Sequence, residues 1–182
     1  GMLIDGTSGA GIYINNASPS LTDLVIRNNR ISNENATDAM GGGLFINNSE
    51  AILSNLIIKE NSIESNSSGS SSKGAGIYIN GESDIEIINS VIFNNQGFYG
   101  DSLQTHSGLA YGSGLYIDVD GNVLVKHTEI SSNKLYIDGN DRSETGGGVY
   151  IENGNTEFIN VSIISNDGEG LVAIGGQTDI TN

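Results

Sequence analysis

Few residues in this chain have chemistry to offer, and the acidic ones come first. Asp118 and Glu152 close two similar segments, GSGLYID from Gly112 and GGGVYIE from Gly146. A carboxylate pair held ~5–9 Å apart can act as acid and base in glycoside hydrolysis. Carboxylates can also hold Ca²⁺, which takes six to eight oxygens. The Ca²⁺ candidates are Asp118 and Asp120 in DVDGN, and Asp138 and Asp141 in IDGND. Neither segment has the ligand spacing of an EF-hand. Turn carboxylates with no ligand are commoner than either site. No Ser-His-Asp spacing, phosphate loop or metal-ligand motif is present. Cysteine is absent, which removes disulfides and thiolate metal sites.

The aromatic residues are more specific. Tyr13, Phe45, Tyr78, Tyr116 and Tyr150 occupy one place in five repeated segments. Their neighbours on both sides are aliphatic in all five. Period-2 alternation turns the aliphatics inward and the aromatics outward. Such a column can stack on the faces of sugars. It can equally lie under covering segments as a small second core, because a large open apolar patch calls for cover. Phe98, Tyr99 and His106 sit in the longest stretch between repeats and offer either a ligand contact or an anchor.

The element that positions these residues is the repeat itself, and fixed-period similarity is read first. Gly-x-Gly units begin at Gly9, Gly41, Gly74, Gly112, Gly146 and Gly168, spaced by 32, 33, 38, 34 and 22 residues. Three further columns follow each unit. The first reads Asp23, Asn55, Asn89, His127, Asn160. The second is Ile26, Ile58, Ile92, Ile130, Ile163, and the third Asn29, Asn61, Asn95, Asn133, Asn166. Alternating, β-branched runs such as Ile85-Glu86-Ile87 lie between them, which reads as strand. No helical periodicity is present. Three short strands per repeat, stacked rung on rung ~4.8 Å apart, make a β-solenoid of about five coils. The Ile column fills its interior. Both Asn-rich columns are expected to form amide ladders, with His127 making a structural hydrogen bond in the first.

The longer repeats carry insertions at one corner, at 30–40, 62–73, 96–111 and 134–145. They are expected to form a ridge of loops beside a binding face. The chain reads as a single domain over 1–182. It shows no capped end, so it is expected to be a fragment of a longer protein or to associate end to end.

The net charge of −15, from 22 acidic and 7 basic residues, repels phosphate backbones and anionic lipid. That argues against nucleic-acid partners. No apolar run approaches the ~20 residues of a membrane span.

The paired signatures GGGLF, GGGVY, GAGIY and IKEN, IFNN, ISSN, IISN resemble the polymorphic outer-membrane protein repeat, with motifs GGA[ILV] and FxxN. Ile stands here where that family has Phe. The resemblance implies a right-handed parallel β-helix of the pectin-lyase-like class. It also implies a bacterial, extracellular or cell-surface, adhesin-like setting. By resemblance to lyases of the wider class, an enzyme would need a basic residue beside its acids, and Arg142 is the one near them in sequence. The leading expectation is a non-catalytic segment presenting loops and an aromatic face to a glycan or protein partner. Two alternatives remain: a carbohydrate-active enzyme using Asp118, Glu152 and Arg142, and a passive spacer.

Overall fold

A computed structural model describes residues 3–5, 9, 11–33, 37–65, 70–100, 109–138 and 144–182; for 3–5, 99–100, 137–138 and 144 it describes the backbone alone. Every strand pairing among the described residues is parallel, and the strands stack in columns along one axis. The first column holds Ile12–Asn15, Leu44–Asn47, Ile77–Gly81, the starts of Leu115–Lys126 and Val149–Ile159, and Leu171–Ala173. The second holds Ser20–Thr22, Glu50–Ser54, Asp84–Ile88, the remainders of the two long strands, and Gln177–Thr181. The third runs from Val25–Arg27 through Ile57–Lys59, Val91–Phe93 and Glu129–Ser131 to Ser162–Ile164. These are the three strands per coil that the repeat predicts, and together they make a parallel β-helix.

The insertions are more regular than a ridge of loops. Each begins in a fourth column, with Arg30–Asn33, Ser62–Ser65, Gln96–Gly100 and Lys134–Asp138 in register. Each ends in a fifth, with Ala39–Met40, Ser71–Lys73, Leu109–Tyr111 and Glu144–Thr145. The fourth column forms because Ile31, Ile63 and Leu135 alternate inward and are buried. They meet the small inward residues Ala39, Ala75 and Ala110 as satellite cores. A hydrophobic residue with polar flanks, over only four residues, is enough to extend a sheet whose neighbour is already in place.

The main core is the stacked aliphatics. Ile58, Ile92 and Ile130 are fully buried, as are Ile46, Ile79, Ile117 and Ile151 from the first column. Beside them runs the amide ladder. Asn29, Asn61, Asn95 and Asn133 each donate through Nδ2 to the Oδ1 of the next, at 2.9–3.0 Å, ending on Asn166. Each Oδ1 also accepts the preceding Asn backbone N–H.

The second glycine of each unit belongs to this ladder. A Cβ on Gly114 would lie 2.5 Å from the Gly148 carbonyl oxygen, 2.8 Å from Asn133 Nδ2 and 3.0 Å from Ile130 Cγ2. The Asn amide fills the space that any side chain there would need. Gly-x-Gly, Ile and Asn are therefore one packing unit. Gly114→Ala is expected to lower stability by about 2 kcal/mol or more through overpacking. An unchanged denaturation midpoint would remove this explanation of the glycine.

The other Asn-rich column is corrected. Asp23, Asn55, Asn89, His127 and Asn160 are exposed and all have φ between 50° and 58°. They share a left-handed backbone, which Asn and Asp adopt more readily than most residues. One side-chain rung, Asn55 Nδ2 to Asp23 Oδ1, is seen among them. The ladder-like bonds run through the next residue instead: Ser90 Oγ accepts from Leu56 N, and Thr128 Oγ1 from Ser90 N. His127→Asn is thus expected to leave stability within about 0.5 kcal/mol of wild type or to raise it. A drop in melting temperature would restore a specific role for the imidazole.

Candidate functional site

The first column carries the aromatic stack outward, as alternation requires. The rings stack in sequence: Tyr13–Phe45 at 4.9 Å, Phe45–Tyr78 at 5.3 Å, Tyr78–Tyr116 at 5.1 Å and Tyr116–Tyr150 at 5.4 Å. The stack is covered along most of its length. Phe45, Tyr78, Tyr116 and Tyr150 are buried, and Met40, Tyr111 and Val172 pack against them. Met40 and Tyr111 come from the fifth column, so the insertions supply the lid. Four of the five rings are therefore a second core rather than an open ligand face. Tyr13 alone lies open, at 54% exposure.

A polar cluster sits at the edge of this stack. Tyr116 donates its hydroxyl to Glu152 Oε2. A bulge sets the local register, pairing Ile117 with Ile151 but Asp118 with Asn153, so Glu152 stands as the extra residue beside Asp118. The two acids do come together. Burial raises the Asp118 carboxyl above the usual range, and Glu152 raises it further, against an opposing pull from Lys73. Burial, then the bond to Glu152, pushes the Tyr116 phenol far up, so it stays protonated and donates. Among the described residues Lys73 is a nearby cation, which pairs with Asp38 at 2.9 Å and lies 5.5 Å from the centre of the Tyr116 ring.

The sign of the Asp118 shift sets a pH dependence. A carboxyl raised in the folded state favours folding while protonated, and that contribution fades as pH rises through its folded value. Asp118→Asn is expected to be more stable than wild type near pH 7, with the gap closing below about pH 4. Melting curves across that range check it, and a gap that widens toward acid would reverse the sign.

Ca²⁺ coordination is not assembled there. Asp120 receives Asn153 Nδ2 at 3.4 Å, and among the described residues no three acidic or histidine side chains gather as a metal site. Arg142, Asp141 and His106 lie outside the described residues, as do the side chains of Asp138 and Tyr99.

The open aromatic surface is elsewhere. On the outer face of the fourth column, Phe98 and Tyr136 are register partners with rings 5.0 Å apart and 9° from parallel. Tyr136 is 51% exposed. The adjoining outward row carries Gln96 and Lys134, both exposed, and the next rung carries Glu64, bound by Arg30. Phe98 is legible in the sequence as an aromatic candidate, but Tyr136 is hidden in KLYID, which draws notice for its acid. Counting three residues past each ladder Asn finds both, since Asn95 leads to Phe98 and Asn133 to Tyr136.

Compared with known proteins, the chain matches over residues 1–182 the model of a family described as a right handed beta helix region. No curated protein and no solved structure matches it.

Proposed function

Because the chain belongs to the right-handed β-helix family, we propose that it is a non-catalytic binding segment that holds a glycan on the Phe98–Tyr136 ring pair. The observation that carries this reading is the parallel stacking of an exposed ring, Tyr136, on a half-buried one, Phe98, on the outer face of a sheet. Ordered, exposed aromatic faces give large contact area at small conformational cost. Gln96 and Lys134 beside them supply hydrogen bonds that fix a hydroxylated ligand. What supports an adhesin-like bacterial role, at the cell surface or outside the cell, is the resemblance of the repeat signatures to the polymorphic outer-membrane protein repeat. The buried column then serves to stiffen the platform rather than to touch the ligand.

A glycan array probed with the wild-type chain and with Phe98→Ala and Tyr136→Ala tests the reading. Wild type is expected to retain a subset of glycans, and each variant to bind them about tenfold more weakly, equivalent to about 1.4 kcal/mol. Equal retention by all three proteins would overturn it, and no retention by any would leave a spacer.

The nearness of Asp118 to Glu152 favours a second reading, acid–base chemistry on a polysaccharide. Lys73 would be its cation. Turnover of a polysaccharide that disappears in the Asp118→Ala, Glu152→Ala double variant would establish it in place of simple binding.

A further inference from the structure

The outer face of the fourth column carries a pit beside the ring pair. It holds about 260 Å³ and is lined by Arg30, Ser62, Ile63, Glu64, Gln96 and Phe98. One short residue makes it. Strand register sets Arg30, Ser62, Gln96 and Lys134 in one outward row on successive rungs. Ser62 is the small member of that row and leaves a gap between two long neighbours. Arg30 crosses to Glu64 on the adjoining row and closes one end. Phe98 closes the other. Its register partners are Glu64 and Tyr136, so the ring that stacks on Tyr136 with one face turns its other face toward the pit.

The walls are mixed in character. Arg30 has five N–H donors, and its bond to Glu64 uses one. The Glu64 carboxylate offers acceptors at two oxygens. The Ser62 hydroxyl and the Gln96 amide are committed to no other described residue. Phe98 supplies an apolar wall. Donors, acceptors and apolar surface thus converge on one concavity, the usual make-up of a ligand site.

These features narrow the ligand. A net charge of −15 repels an anion. A cation meets Arg30 in the wall and Lys134 one rung beyond Gln96. A neutral group is left, with a donor, an acceptor and a small apolar part. A sugar hydroxyl has no apolar part and reaches only a short way in. An acetamido group has all three. Its N–H meets Glu64, its carbonyl meets Arg30 or Gln96, and its methyl group meets Phe98.

Resting on the reading that this face holds a glycan, we infer that the pit takes the acetamido group of an N-acetylated amino sugar. The adjoining sugar ring lies on the Phe98–Tyr136 pair, which shares Phe98 with the pit. The glycan then runs along the β-helix axis, from the Arg30–Glu64 pair toward Tyr136.

Calorimetric titration with tetramers of N-acetylglucosamine, glucosamine and glucose, all of the same β-linkage, tests this on wild type, Ser62→Gln and Tyr136→Ala. Arg30, Gln96 and Lys134 already occupy the Ser62 row, so a long side chain fits the backbone there and fills the pit. Wild type is expected to bind the acetylated tetramer about tenfold more tightly than either of the others. Ser62→Gln should melt with wild type and lose that preference. Tyr136→Ala should weaken all the tetramers that bind. Equal affinity for the acetylated and glucose tetramers, or a preference that survives Ser62→Gln, would overturn the inference; sensitivity to Tyr136→Ala in that case would leave the glycan reading standing. Tightest binding of the glucosamine tetramer would also overturn it, as attraction of a cation to an acidic chain. Binding of none of the three would overturn it too, while the array decides the glycan reading separately.

Discussion

Asn95→Ala is expected to destabilise the protein by about 3 kcal/mol or more, since two or three buried polar groups lose partners at roughly 1–3 kcal/mol each. Asn95 uses all four of its amide valences. Its Oδ1 accepts from Asn61 N at 3.1 Å and Asn61 Nδ2 at 3.0 Å, and its Nδ2 donates to Ile58 O and Asn133 Oδ1, both at 3.0 Å. Removing the amide orphans two donors on Asn61 and takes one donor from the Ile58 carbonyl. Asn61, Asn95 and Asn133 are all buried, so bulk water does not replace what is lost. The adjoining Gly76 offers no side chain to fill the gap. The denaturant midpoint of Asn95→Ala measures this. A midpoint equal to that of wild type would mean that the ladder is an ornament of the coil and not a support.

Tyr78→Ala is expected to cost about 3–5 kcal/mol, the range for deleting a buried aromatic side chain. Tyr78 is 5% exposed and sits between Phe45 and Tyr116, stacked on both. Each ring contact adds roughly 0.5–1.5 kcal/mol beyond area alone. Its burial also raises its phenol well above the usual value, with Asp118 adding to the effect. For a chain of this size the loss corresponds to a fall in melting temperature of roughly 10 °C. Differential scanning calorimetry reads it directly. A loss near that of an exposed tyrosine would mean that the fifth column does not cover the stack in solution.

Much of this architecture is readable from the chain alone, and the reason is physical. A column position in a solenoid sees its own copy above and below, so the Ile and Asn columns tolerate no exception and stand out. The satellite strands are harder to read. Ile31, Ile63 and Leu135 carry the same inward pattern, but Gly97 interrupts it in the third coil, and the pattern lasts only four residues. The left-handed column misleads for another reason. Asn is suited both to amide ladders and to φ near 50°, and its type does not say which is in use. His127 is the clue, because an exposed histidine fits the second role as well as the first.

The candidate site was only partly legible. Alternation puts the aromatic column on the outer side of its strand, which is where it lies. Whether an outward ring is open depends on what the insertions do, and that is a tertiary matter. Met40 and Tyr111 close the stack from a strand column that the repeat signatures do not announce. The same insertions carry Phe98 and Tyr136, so the segments that bury one aromatic surface expose another. Lys73 was missed for the same reason, since it acts on Asp118 from the fifth column. Arg142, expected there from its place in the chain, lies outside the described residues.

The division between a covered stack and an open pair is tested most directly by one paired titration. A glycan retained on the array is titrated into Tyr136→Ala and into Tyr78→Ala, each below its own melting temperature, with unfolding curves recorded alongside. Tyr136→Ala should melt with wild type and bind about tenfold more weakly, while Tyr78→Ala should melt early and bind as wild type does. Wild-type affinity in Tyr136→Ala, with binding lost in Tyr78→Ala while it is still folded, would contradict the account and return the ligand to the buried column.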